Sequence, residues 1–311
     1  ESQGFEVHAV AGTSMGALVG GMYASGHLEP FKEWMYTLDK YKVFGLVDFA
    51  LSTEGLVKGD RVMRAMKELV PDVKIEKMPL PFAAVAADLL TGREVVLDRG
   101  GLYDAIRASI SIPSVFRPVR RGNQVLVDGG TVNPLPLNRV RREPGDVLVA
   151  VDVSAPFSEE MAVRNKASLN YYKVITASSE IMQQHIARLM CKIYKPDLLI
   201  EMPADRFGIF EFYRAREIVE AGRLAARTID IAKTTVDGSV TVAGQHVVLN
   251  SDSTANCFYA TGETVALRGS TKSAALAGDT VTIDGTVEGD VEVWADKLVL
   301  GKNARITGTV S

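Results

Sequence analysis

Histidine, cysteine and long apolar runs are what this chain of 311 residues has least of. Its two cysteines, Cys191 and Cys257, stand far apart with no metal-ligand spacing. Two free thiols in a reducing compartment are therefore expected, and no metal site and no cofactor. Four histidines, His8, His27, His185 and His246, leave few partners for a nucleophile that needs an imidazole. No apolar run approaches the roughly 20 residues of a membrane-spanning helix, and the opening carries no signal-peptide pattern. A net charge of −3 gives no general case for nucleic acid. The chain opens on Glu1 rather than Met, so it is expected to be processed or a piece of something longer.

What is present is globular: 47% hydrophobic and 23% charged residues. The most informative stretch is Val10-Ala11-Gly12-Thr13-Ser14-Met15-Gly16-Ala17. It is apolar to Ala11, then reads G-x-S-x-G, then runs into small and apolar residues. That order, strand, sharp turn, helix, is the order of a nucleophile elbow, with Ser14 strained at its apex. Only small residues fit beside the apex, at Gly12 and Gly16. The Met15 N–H would face an oxyanion, aided by the partial positive charge of the helix N-terminus. The plainer alternative is an ordinary turn with Ser14 as helix cap.

Further on, helices are expected at Met15–Ser25, ending at Gly26, and from Leu28, where Phe31, Trp34, Met35 and Leu38 share a face. Phe44–Leu51 is apolar without period, either a packing segment or a lid or acyl-binding wall. Asp60 is expected to cap a helix with Val62, Met63, Met66 and Leu69 inward. Strands follow at Phe82–Ala87 and Glu94–Leu97, then a helix at Leu102–Ser109. The two prolines of Ala108–Val119 make a rigid loop. A strand at Gln124–Val127 leads into Asp128-Gly129-Gly130, then Asn133-Pro134-Leu135-Pro136. Asp146–Val153 has the continuous apolar character of a parallel strand, Ser168–Tyr194 is one long helix, Leu198–Ile200 a strand and Phe210–Ile231 a last helix. Alternating strands and helices give an α/β layered domain.

The pattern changes near Thr234. Helical periodicity ends, and short alternating runs such as Val240-Thr241-Val242 and Val281-Thr282-Ile283 are separated by turn residues. Gly285-Thr286-Val287 recurs as Gly308-Thr309-Val310. Such repeats suggest a solenoid or stacked β array. Residues 236–311 carry 5 basic and 9 acidic residues against 30 and 29 in the remainder. The expected division is an α/β domain over 1–233 and a small all-β domain over 234–311.

A serine nucleophile needs a base. Asp128, at the end of an apolar strand and followed by two glycines, is a better candidate than the mid-helix His185. A carboxylate with its reference pKa of about 4 is a poor base for a hydroxyl unless burial raises that value.

Together the G-x-S-x-G of Gly12–Gly16, the Asp128-Gly129-Gly130, the Ala108–Val119 loop and Asn133-Pro134-Leu135-Pro136 resemble bacterial patatin-like phospholipases over roughly residues 8–230. The resemblance implies a mostly parallel sheet and a Ser–Asp dyad that needs no histidine. Ser14 would be the nucleophile, Asp128 the base, and Gly129 and Gly130 its loop. The reaction implied is hydrolysis of phospholipid or other acyl-ester lipids through an acyl-enzyme. The family also carries a Gly-rich oxyanion loop ahead of the nucleophile strand. Only Glu1–Val7 precede it here, so this chain is expected to be weak or inactive. Gly285–Val291 and Ile306–Val310 resemble bactofilin repeats, which implies self-assembly through residues 236–311. Arg117, Arg120, Arg121, Arg139, Arg141 and Arg142 flank the Asp128 loop and could attract anionic headgroups. A cytoplasmic protein in peripheral contact with the inner membrane is expected. The competing expectations are a Ser14–His185–Asp128 esterase, a non-catalytic lipid-binding scaffold, and acyl transfer to an alcohol instead of water.

Overall fold

The computed structural model describes residues 6–48, 57–155, 171–203, 207–208, 210–231 and 235–311. It divides into two compact units, Glu1–Ile218 and Val219–Ser311, against the division at 233/234 expected from the sequence.

The first unit is an α/β layer around β1 (Val10–Thr13), β2 (Phe82–Asp88), β3 (Arg93–Leu97), β4 (Val119–Arg121) and β5 (Gln124–Asp128). β1 pairs parallel with β2, while β2–β3, β2–β5 and β4–β5 are antiparallel. β2–β3 and β4–β5 are hairpins with tight turns, the connection that short linkers allow. β2 is buried at every residue. Its register explains the site. β1 occupies Phe82–Val85 and β5 occupies Ala86–Asp88. β3 pairs with Ala84–Asp88, overlapping both, so β1 and β5 must share the opposite edge. They run toward each other along it and stop at adjacent positions, Thr13 at Val85 and Asp128 at Ala86.

Helices α1 (Met15–Ala24), α2 (Leu28–Tyr36), α3 (Lys40–Leu46), α4 (Asp60–Leu69) and α5 (Leu102–Ser109) cover the sheet. Gly26, at φ 78°, ends α1. Gly20 and Gly21 give it close contact, since a Cβ would meet Val10 at 2.8 Å and Leu102 at 3.0 Å. Phe31 and Leu38 are buried as their spacing required. In α4 the buried residues are Met63 and Met66, followed by Val70 just past its end, with Leu69 left 36% exposed. Asp60 is the first helical residue rather than the cap. The cap is supplied from a distance by Asp48, whose carboxylate accepts from the N–H groups of Gly59, Asp60 and Arg61 at 2.7, 2.9 and 3.1 Å. Of the apolar Phe44–Leu51 stretch, 49–51 lie outside the described residues.

β6 (Val149–Ala155) and β7 (Leu198–Pro203) form a parallel pair beside α6 (Tyr171–Tyr194). β6 alternates rather than being buried throughout: Ala150 and Asp152 are buried, Val149, Val151 and Val153 half exposed. α7 (Ala215–Arg227) stops short of the expected Ile231, and Thr228–Ile231 is a strand, β8. Three of its four residues, Thr228, Ile229 and Ile231, are β-branched, which favours strand over helix.

The second unit is a parallel β-solenoid with β8, β9 (Thr235–Ala243), β10 (His246–Leu249), β11 (Thr254–Thr261), β12 (Thr264–Leu267), β13 (Ser270–Ile283), β14 (Thr286–Val287), β15 (Val291–Leu300) and β16 (Arg305–Ile306). All its pairings are parallel. Thr264 lies beside Thr280 and Thr286 beside Arg305, so a rung takes 16 to 19 residues. Columns of identical burial run up the stack. Leu249, Leu267 and Ile283 are successive partners and all wholly buried. This architecture agrees with the bactofilin-like resemblance.

Candidate active site

Because β1 and β5 end nose to nose against β2, both chains must turn away at the same place. Ser14 makes the first turn with φ 54° and ψ −117°, a conformation that costs a residue with a Cβ about 1–3 kcal/mol. Gly12 permits it: a Cβ there would sit 2.1 Å from the Gly16 carbonyl oxygen. Gly16 itself is different from the sequence expectation. A Cβ at Gly16 would meet nothing within 4 Å, so its backbone, not its missing side chain, sets the constraint. Ala17 and Leu18 donate to the Ser14 carbonyl at 3.0 and 3.1 Å, which starts α1. Met15 and Gly16 are the first two helical residues, and their N–H groups have no intrahelical acceptor. They stand at the positive end of the helix dipole, beside the serine.

Asp128 ends β5 and caps the short turn Gly129–Thr131, its Oδ1 accepting the Gly130 N–H at 2.7 Å. Gly129 is required because a Cβ would lie 2.3 Å from the Val85 carbonyl oxygen. At Gly130 a Cβ would meet Asp128 Oδ1 at 3.0 Å and the Gln183 side chain at 3.1 Å. Asp128 is only 5% exposed and accepts a hydrogen bond from the Ser14 side chain. Burial pushes its carboxyl up to about 6, against the opposing bonds from Ser14 and Gly130. A carboxylate in this range is matched to taking a proton near neutral pH.

Other groups brace the pair. Thr13 Oγ1 donates to the Asn133 carbonyl at 2.7 Å, tying the elbow to the segment after Asp-Gly-Gly. Asn133 Nδ2 in turn donates to Glu94 at 2.7 Å and Asn138 at 2.9 Å. Ser109 Oγ accepts the Ser14 N–H at 2.9 Å, and the Ser111 carbonyl accepts the Asp128 N–H at 2.9 Å. In the sequence Ser109 ends the helix Leu102–Ser109 and lies at the start of the rigid 108–119 loop, with no role assigned to it. Helical spacing held the signal: Ser109 falls four after Ala105 and three after Ile106, on the buried face of α5.

The structure does not bring His185 into the site. Gln183 faces Gly130, and two residues along a helix is about 200° of rotation. His185 is exposed, whereas Asp128 is buried. His27 contacts Ser25, and His246 contacts Thr264 in the solenoid. Of the six arginines, Arg139 is paired with Glu94, and Arg142 with Asp197 at 3.4 Å.

Beside the elbow lies an apolar cavity of about 70 Å³. Leu18, one turn after Ser14, lines it with Phe31, Trp34, Val57, Met66 and Phe116. Leu46 and Val47, from the apolar stretch without period, form part of its wall.

The family model for patatin-like phospholipases matches residues 1–140. An uncharacterized NTE family protein of Mycobacterium tuberculosis is 29% identical over 299 residues, covering 72% of this chain and 83% of the relative. A second one from that organism is 28% identical over 248 residues, 72% of this chain and 41% of the relative. The human patatin-like phospholipase domain-containing protein 6 is 22% identical over 247 residues, 71% of this chain and 18% of the human protein. Residues 1–140 thus carry a patatin-like phospholipase domain, and the family supports a lipid acyl hydrolase acting on carboxylic esters.

Proposed function

We propose that the front unit cleaves acyl esters of phospholipids or related lipids through a Ser14–Asp128 dyad. The observation that carries this reading is a strained serine hydrogen-bonded to a buried carboxyl group whose pKa is about 6. Asp128 takes the Ser14 proton as Oγ attacks the ester carbonyl. The Met15 and Gly16 N–H groups stabilise the oxyanion. Collapse releases the alcohol, which recovers the proton from Asp128, and leaves an acyl group on Ser14. Asp128 then deprotonates water, which attacks the acyl-enzyme and frees the fatty acid. The apolar cavity that Leu18 lines supports an apolar rather than a polar group next to the nucleophile.

Met15 and Val19 lie 39% and 40% exposed on α1 next to the nucleophile, which supports substrate uptake from a lipid surface. Peripheral contact with the inner membrane from the cytoplasm follows as part of the same proposal. The pairing of Arg139 with Glu94 and of Arg142 with Asp197 weakens the headgroup-steering role expected of the arginine cluster. For the solenoid we propose self-assembly through rung stacking: β15 leaves Trp294 and Leu300 60% and 58% exposed. Sedimentation against protein concentration tests that part.

The decisive test is labelling with a fluorophosphonate ester and mass mapping of the adduct. An adduct on Ser14, absent from Ser14→Ala and strongly reduced in Asp128→Asn, is the expected result. No adduct on Ser14, either in this chain or in a version carrying a Gly-rich oxyanion loop ahead of the nucleophile strand, overturns the dyad and leaves a lipid-binding scaffold.

A further inference from the structure

The meeting of β1 and β5 leaves one backbone acceptor at the gap. The Val85 carbonyl points toward it, since that oxygen is what a Cβ on Gly129 would strike. Ser109, wholly buried, fills the gap: its hydroxyl donates to Val85 O at 2.5 Å. A hydroxyl has a single hydrogen, so the Ser109 oxygen is left to accept, and it accepts the Ser14 N–H at 2.9 Å. The amide of the strained nucleophile is thereby tied to the central strand through one side chain. Two residues on, the Ser111 carbonyl takes the Asp128 N–H. Nucleophile and base are thus both anchored by their amides to the same short segment.

That segment is itself held. Ser111 Oγ donates to the Arg107 carbonyl at 2.8 Å and accepts from Arg107 Nη1 at 2.7 Å. Arg107 Nη2 reaches the carbonyls of Lys58 at 2.6 Å and Arg117 at 3.0 Å. Val57 and Phe116, the neighbours of those two carbonyls, line the apolar cavity.

We propose that Ser109 is a positioning residue for the ester hydrolysis: its hydroxyl holds the Ser14 backbone in the left-handed turn that aims the nucleophile at Asp128. It acts through the Ser14 amide and touches no reacting atom. The proposal rests on the Ser14–Asp128 reading. Without the hydroxyl, the Ser14 N–H loses its acceptor and the strained φ loses one of its restraints. A displacement of about 1 Å at a reacting group costs on the order of 100-fold in rate.

The test uses the full chain as parent, Ser109→Ala and Ser109→Cys. Cysteine is close in shape but a weak donor and acceptor. Measured are kcat and KM on p-nitrophenyl butyrate, the rate of fluorophosphonate labelling, and hydrogen exchange at the Ser14 amide. Ser109→Ala should lower kcat and labelling about 10–100-fold with KM within about twofold, and speed Ser14 amide exchange at least about 10-fold. Ser109→Cys should fall between, and it decides the matter if Ser109→Ala does not fold. A change confined to KM or to melting temperature, with kcat and Ser14 exchange within about twofold of parent, overturns the proposal alone. Failure of Ser14 to label both in the parent and in a version carrying a Gly-rich oxyanion loop ahead of the nucleophile strand, which then serves as parent, overturns the dyad and this proposal together.

Discussion

Every residue with a positive φ among the described residues lies in the front unit, from Ser14 to Lys195, whereas the solenoid turns its corners without one. The solenoid needs glycine for a different reason. A Cβ on Gly278 would lie 2.3 Å from the Gly262 oxygen, and one on Gly262 would lie 2.3 Å from the Gly244 oxygen. The same close contact recurs rung after rung, and so does the buried column Leu249–Leu267–Ile283. In the front unit each tight contact occurs once, Gly12 on Gly16 and Gly129 on Val85, and both converge on Ser14 and Asp128. A repeat spreads stability over equivalent neighbours. A reaction site concentrates strain and buried polarity at a few unrepeated points. Thr13, Ser109, Ser111, Asp128 and Asn133 are all buried there.

Substitutions should separate the two behaviours. Ser14→Ala should have the largest effect, a loss of ester turnover and labelling of at least about 10³-fold, with the melting of the solenoid unchanged by circular dichroism. Next comes Gly12→Ala. Its Cβ meets backbone rather than a flexible side chain, so destabilisation of about 3 kcal/mol or more is expected by urea titration. Gly16→Ala is the contrast: nothing stands in its way, and helix propensity should make it neutral or stabilising by up to about 1 kcal/mol. Equal costs for these two glycines would break the distinction drawn between them. In the solenoid, Leu249→Ala and Leu267→Ala should each cost about 2–5 kcal/mol and agree within about 1 kcal/mol, because both fill the same column. Leu300, next in that column but 58% exposed, should cost under about 1 kcal/mol on the same change. Unequal costs at Leu249 and Leu267 would mean that the rungs are not energetically equivalent.

How much of this was legible in the sequence follows the range of the interactions. The elbow is local, and G-x-S-x-G between an apolar strand and a small-residue helix was enough to find Ser14. Asp128 stood out because a carboxylate followed by two glycines closes an apolar strand. The repeat was visible, but not its rung length, because the spacing drifts between 16 and 19 residues. The residues of β8 read as helix in the sequence because they follow α7 without a break. Gly16 was misjudged because the chain folds back on Gly12 through a backbone oxygen, which no residue type records. Ser109 acts on a residue 95 positions away, beyond the reach of any local pattern.

Asp128→Asn gives the sharpest contrast between the units. The Asp128 carboxyl in the folded protein has a pKa of about 6, above its ordinary 3.8. Between about pH 4 and 6 the folded state therefore holds more protons than the unfolded one, so stability falls as pH rises through that window. Above about pH 6 the buried carboxylate is charged, and its cost is fully present. Asparagine keeps an acceptor for the Gly130 N–H and for the Ser14 hydroxyl but does not titrate. Asp128→Asn should thus be more stable than parent by about 1–3 kcal/mol at pH 7 and equal to it near pH 4, while ester turnover is lost. The parent's turnover should fall as pH drops through about 6, as the base becomes protonated. The cost of Leu267→Ala should stay the same over that range, because its column contains no titrating group. Urea titrations of the parent and the two variants at pH 4 and 7 check this. Were Asp128→Asn less stable than parent at pH 7, the hydrogen bonds to the carboxylate would outweigh its burial, and the front unit would not carry the strain assigned to it at this residue.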